Sequence, residues 1–141
     1  MMRINSVRAE YVEYIPERLQ PGLLYISRRL STATHLCCCG CGLEVVTPLN
    51  PAKWQLSERN GTVSLSPSIG NWSFPCKSHY WIRANSVRWA AGMSSQLIAA
   101  VQERDRRDVE LLARQSRPTG FRGRIQTLWA ALIDKLRGWR R

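Results

Sequence analysis

Along residues 9–15 (EYVEYIP) polar and apolar side chains roughly alternate, the period of a strand with one buried face. Pro21-Gly22 reads as a turn, and Leu23 to Ser27 as a second strand rich in aliphatic and aromatic side chains. Residues 28–34 fit either a helical turn or an irregular connection. After a cysteine-rich segment, Leu43 to Thr47 predicts a strand ended by Pro48. Trp54 to Ser57 and Thr62 to Leu65 flank Asn60-Gly61, the strongest short-range hairpin signal, because both turn residues accept a left-handed backbone. Residues 66–75 (SPSIGNWSFP), with two prolines and a glycine, predict a long shaped loop. Tyr80 to Arg83 and Val87 to Ala90 read as strands joined by Ala84-Asn85-Ser86.

The pattern changes after Gly92. Residues 94–114 suit a helix capped by Ser94 or Ser95, with a solvated, charged middle from Glu103 to Asp108. Arg117-Pro118-Thr119-Gly120 breaks the chain. Residues 121–140 then carry Ile125, Leu128, Trp129, Leu132, Ile133, Leu136 and Trp139 at a spacing that gives one apolar helical stripe.

Cysteine placement adds a constraint that periodicity does not show. Cys37, Cys38, Cys39 and Cys41 fall within five residues, and Cys76 opens the run Cys76-Lys77-Ser78-His79. An odd number of cysteines, three of them consecutive, suits disulfides badly and suits a tetrahedral zinc site in a reducing cytoplasm well. In an extended segment alternate residues share a face, so Cys37, Cys39 and Cys41 converge while Cys38 points away, and Gly40 and Gly42 permit the tight backbone a metal knuckle requires. Two ligand sets are open: Cys37, Cys39, Cys41 and Cys76, or His79 in place of one of the first three, with Cys37 the residue replaced. Either set closes all four positions with protein atoms and is structural. The expected fold is therefore mostly β with C-terminal helices (α+β). A small zinc-stapled β domain, 1–90, precedes a basic helical extension, 91–141, with two helices.

The net charge of +11 sits mostly in that extension. Residues 91–141 hold eleven basic and five acidic side chains, net +6. Eighteen of the 21 basic residues are arginine, which pairs bidentately with carboxylate or phosphate. Nucleic acid, an anionic membrane face and an acidic protein all suit such a chain. Nucleic acid is the least suited, because aromatic residues do not interleave with arginine in the β region. The polar N-terminus shows no secretory signal, and no apolar stretch approaches the ~20 residues that span a bilayer. A cytoplasmic protein is expected, with residues 121–141 suited to packing on the β body, to a partner's groove, or to the inner membrane surface.

Residues 35–50 (HLCCCGCGLEVVTPLN), Val63-Ser64-Leu65, Pro67 to Trp72, and Pro75 to Ile82 together carry a resemblance. They resemble a bacterial zinc-binding family known under a domain-of-unknown-function label. Its small members are encoded beside ubiquitin-like proteins and their activating and conjugating enzymes. The resemblance covers about residues 9–90 and implies partners in that pathway: the ubiquitin-like protein or its activating and conjugating enzymes. It also implies a step such a pathway needs, trimming the modifier or removing it from targets.

The residues offer chemistry for that step. Ser68, in Pro-Ser-Ile-Gly-Asn, can be exposed as a nucleophile, with the N–H of Ile69 or Gly70 as oxyanion donor. His79 or His35 can serve as base, and Asn71 can orient the imidazole. Cys38 is a weaker nucleophile, since nothing near it in sequence lowers its pKa. The competing expectation is a non-catalytic zinc adaptor, with Trp54, Trp72, Trp81 and Trp89 either in the core or as contact anchors.

Overall fold

The computed structural model describes residues 2–115. The chain divides after Asp105 into two units, and the β strands lie in the first. The first contains two four-stranded sheets. Sheet I runs β1 (Arg8–Tyr11), β2 (Leu23–Ser27), β3 (Thr32–Leu36), β4 (Glu44–Pro48), and sheet II runs β5 (Gln55–Arg59), β6 (Thr62–Gly70), β7 (His79–Arg83), β8 (Ser86–Trp89). All pairs are antiparallel except β1 with β2.

The inner faces follow from strand alternation. Leu24, Ile26, Ala33 and Val45 from sheet I meet Val63, Leu65, Ile69, Tyr80, Ile82 and Val87 from sheet II, all buried. Each such aliphatic side chain contributes roughly 1.5–3 kcal/mol by leaving water. The N-terminal segment crosses between the sheets. Val7 N–H donates to Asn85 C=O and Val87 N–H to Asn5 C=O, each at 2.8 Å, before β1 joins β2. At the other side a Leu49–Trp54 bridge links the chain around the turn into β5.

The hairpins match their turn chemistry. Asn60 and Gly61 have φ of 50° and 73°, and Ala84 and Asn85 of 45° and 65°, the left-handed pair of a two-residue turn. Asn85 adds a tie to β6, its Oδ1 accepting the Val63 N–H at 2.8 Å.

Three expectations change. Residues 28–34 contribute neither a helical turn nor only a connection, since 32–36 form β3 between two partners. The segment 66–70 is not loop but the second half of β6. Its register shifts between Leu65 and Ile69, which face Ile82 and Tyr80, so four steps of β6 span two of β7. The Ser66-Pro67 bond in that irregularity is cis. Because the excess is even, Ile69 still faces the core and Ser68 the outer surface. Finally, the described residues hold one helix, α1 (Ser95–Gln115), not two. Ser94 caps it, its Oγ accepting the Leu97 N–H at 3.3 Å, and no residue of α1 is buried. The helix expected over 121–140, with its groove or membrane contacts, lies outside the described residues. No helix among the described residues is long and apolar enough to cross a membrane.

A serine–histidine pair beside a four-cysteine cluster

The hairpin β6–β7 sets the first part of the site. Gly70 is opposite His79, and Asn71 N–H donates to Ser78 C=O at 2.9 Å. Residues 71 and 78 are thus a hydrogen-bonded pair, which makes Gly70 and His79 the adjacent non-bonded pair, with their side-chain positions close together. Gly70 has no side chain, so the His79 imidazole crosses above it toward Ser68, two residues along the same face. His79 Nε2 lies 2.9 Å from Ser68 Oγ.

Two indoles hold that imidazole. Trp72 meets it edge-on with centroids 4.9 Å apart, and Trp81 lies tilted at 5.3 Å. Trp72 reaches this position across Gly70, where a Cβ would sit 2.5 Å from its Nε1. His79 Nδ1 is buried and has no hydrogen-bond partner among the described residues, so none of them supports the ring as a third polar residue. Burial lowers the His79 pKa from its usual 6.5 and keeps the imidazole neutral near neutral pH.

The backbone alternation also separates the N–H groups that follow Ser68. Asn71 and Ile69 direct theirs toward β7. The Gly70 N–H points the other way, past the last β5 pair, Gln55 with Ser66.

Asn71 does not orient the histidine. Its Nδ2 donates to Ser78 Oγ at 2.8 Å, and Ser78 Oγ lies 3.1 Å from Cys37 Sγ. The amide therefore belongs to the cysteine loop. His35, the other candidate base, is in the core, with Nε2 2.8 Å from Tyr80 Oη. Burial brings its pKa down to about 4, and Ser68 is not among its partners. Cys38 is fully buried and burial raises its thiol pKa to about 12, so it is a core residue.

Cys37, Cys39, Cys41 and Cys76 come together, with all four sulfurs within 4.8 Å of one another. They do so through a tight turn, not by strand alternation. Gly40 and Gly42 have φ of 88° and 80°, and Gly40 N–H donates to Cys37 C=O at 3.0 Å. Cys37 Sγ is 3.4 Å from Cys39 Sγ and 3.9 Å from Cys76 Sγ, and Cys41 Sγ is 3.9 Å from Cys76 Sγ. Bonds of about 2.3 Å to a tetrahedral ion give S···S edges of about 3.8 Å. The four thiols are therefore close enough together to hold a metal ion. The alternative set with His79 is not assembled among the described residues: the donors that converge are the four cysteines, and the imidazole turns its Nε2 to Ser68. Burial raises the Cys76 pKa, but hydrogen bonds from the Ser78 side chain and backbone and from Cys39 and Cys41 outweigh it and bring it to about 7.

Sequence reasoning missed Ser78 and Tyr80 as supports of the cysteine loop, and Trp72 and Trp81 as the walls around His79. Only the i, i+2 spacing of His79 and Trp81 on a strand hinted at the latter.

A family model described as bacterial ubiquitination-like system serine protease (BubE) matches residues 11–90, more than half of the chain. The chain belongs to this family. The description carries an assigned activity, in place of the unknown-function, zinc-binding label that the sequence resemblance implied. No curated protein and no solved structure matches the chain.

Proposed function

We propose that this protein is a serine peptidase that trims or removes the ubiquitin-like modifier of its pathway, with Ser68 as nucleophile and His79 as general base. The observation that carries the reading is the 2.9 Å approach of His79 Nε2 to Ser68 Oγ on an outward sheet face, in a chain of this family. Ser68 Oγ attacks the scissile carbonyl as Nε2 takes its proton. The same proton then goes to the leaving amine, which departs to leave an ester on Ser68. Water attacks that ester, giving its proton to Nε2, and the acid is released as Ser68 recovers its hydrogen. The outward Gly70 N–H is the oxyanion donor we assign. Trp72 and Trp81 hold the imidazole by packing, in the role a hydrogen-bonding third residue has elsewhere. Asn71 leaves the catalytic set.

Cys37, Cys39, Cys41 and Cys76 hold zinc, which contributes rigidity, since four protein sulfurs leave no position for water. The ion ties residues 37–42 to the segment that leads into His79. The domain division is then a zinc-stapled β domain, 1–90, and a basic extension, 91–141. Partners are the modifier and its activating and conjugating enzymes.

The test is incubation of the modifier precursor, and of a modifier–target conjugate, with the protein and with Ser68→Ala. Cleavage abolished by the substitution supports the reading. Absence of cleavage by the unaltered protein, with binding to the modifier or its conjugating enzyme retained, replaces it with the non-catalytic adaptor.

A further inference from the structure

Between Glu58 and Glu103 the chain contains no aspartate or glutamate, although Arg59, Lys77, Arg83 and Arg88 lie in this stretch. The interval covers β6, β7, β8 and the loop between β6 and β7. Sheet II therefore presents an outer face without a carboxylate from these strands. Arg88 pairs with Trp81, and Arg83 lies two residues beyond Trp81, so both arginines share the His79 face. Arg83, four residues from His79, is roughly 13 Å away along β7. On the other side of His79, Lys77 and Arg3 line a cleft of about 270 Å³ together with Trp72, His79 and Trp89.

Of these cations, Arg3 lies over the Trp89 ring at 4.7 Å from its centroid, and the others form no ion pair among the described residues. Arg59, Lys77, Arg83 and Arg88 are exposed. The ion pairs Arg28–Glu58 and Arg29–Glu13 involve none of them. Repelling positive charges gathered around one pair of polar residues cost stability unless a partner neutralises them. We infer that this face docks an acidic polypeptide segment of the substrate, with Arg83 and Arg88 on one side of the serine–histidine pair and Lys77 and Arg3 on the other.

The inference deepens the peptidase reading and rests on it for the word substrate. A nucleic acid is the competing polyanion. It is disfavoured because the indoles of this face, Trp72 and Trp81, are packed on His79 and not presented for base stacking. Exposed pairs contribute about 0.2–1 kcal/mol each and are screened beyond about 8 Å at physiological salt. The effect should therefore appear in association and in its salt dependence.

The experiment separates docking from catalysis by using full-length protein carrying Ser68→Ala. Fluorescence anisotropy is measured with a labelled glutamate-rich peptide, an uncharged peptide of equal length, and a single-stranded RNA of equal charge. Because residues 91–141 add their own positive charge, Arg83→Glu/Arg88→Glu is compared with Arg8→Glu/Arg18→Glu, an equal change of charge outside β6–β8. Thermal melts verify that both variants are folded. The expected result is preference for the acidic peptide, a loss of about tenfold in affinity for the first variant only, and weakening between about 50 and 500 mM salt. Equal binding of the two peptides, equal losses for the two variants, or tighter binding of RNA through Arg83 and Arg88 overturns the inference. Acidic-peptide binding that depends on Arg83 and Arg88 but is accompanied by no cleavage in unaltered protein supports the docking face and removes the catalytic reading alone.

Discussion

Replacing Gly70 with alanine places a methyl group 2.5 Å from Nε1 and Cζ2 of Trp72. Unstrained carbon contacts lie at about 3.5–4.0 Å, so the indole has to withdraw by about 1 Å. Overpacking of this kind costs about 1–3 kcal/mol. Trp72 is only half-buried and can move, which favours the lower part of that range. Gly70 lies outside the left-handed region, so alanine is compatible with its backbone and gains about 0.4–1 kcal/mol by restricting the unfolded chain. The net loss is about 1 kcal/mol, or about 4–8 °C in Tm for a domain of this size. Activity should suffer more, because Trp72 is one wall of the His79 site and a 1 Å misplacement costs about a hundredfold in rate. Calorimetry and steady-state cleavage of the modifier precursor measure both, with kcat expected to fall far more than KM changes. The double variant with Trp72→Ala supplies the control, since without the indole alanine at position 70 should cost no stability. Unchanged melting and cleavage in Gly70→Ala, or an equal stability loss in the Trp72→Ala background, would refute the close-approach argument.

Further expectations follow from the same geometry. Ser68→Ala and His79→Ala should each lower kcat by about 10³ or more, with the melting temperature nearly unchanged in Ser68→Ala and lowered in His79→Ala, which removes the ring packed on Trp72 and Trp81; substantial residual turnover in either variant rejects the pair. The base works as the neutral imidazole, and burial lowers the His79 pKa from 6.5, so kcat/KM should rise with pH to a plateau with its midpoint below pH 6.5; a midpoint above that value contradicts the assignment. Elemental analysis should give one zinc per chain. Removing it with a chelator, or making Cys76→Ser, should lower the melting temperature and abolish cleavage together. Metal-free protein with full stability and activity would show that the cysteine cluster is a packing feature.

What could be read from the chain beforehand was local. Asn60-Gly61 declares a hairpin because only a few residue types adopt its backbone, and Ser94 declares a helix start because its hydroxyl meets an orphan N–H. The four clustered thiols of Cys37, Cys39, Cys41 and Cys76 were legible for a chemical reason, that such donors have little use side by side except around a metal. The route was read only in part: Gly40 and Gly42 do supply the tight left-handed backbone expected of them, but the sulfurs do not converge by alternation along an extended segment. The segment 66–70 was misread because proline and glycine weaken a strand signal, and the pairing of its end, Ile69 with Tyr80 and Gly70 with His79, is supplied by β7 from beyond a connecting loop.

By itself, then, the sequence determined a β-rich body, a capped helix after it, a cysteine cluster suited to a metal, and a short set of polar residues capable of hydrolysis. Those properties follow from backbone preferences and donor chemistry confined to a few neighbouring residues. Only the tertiary structure decided that His79 turns to Ser68 while His35 is sealed in the core against Tyr80, and that Asn71 serves the cysteine loop. It also decided that two indoles enclose the imidazole over a glycine. The physical reason is that a side chain's face and partner are fixed by strand register, and register is set by pairing between distant segments across a shared core.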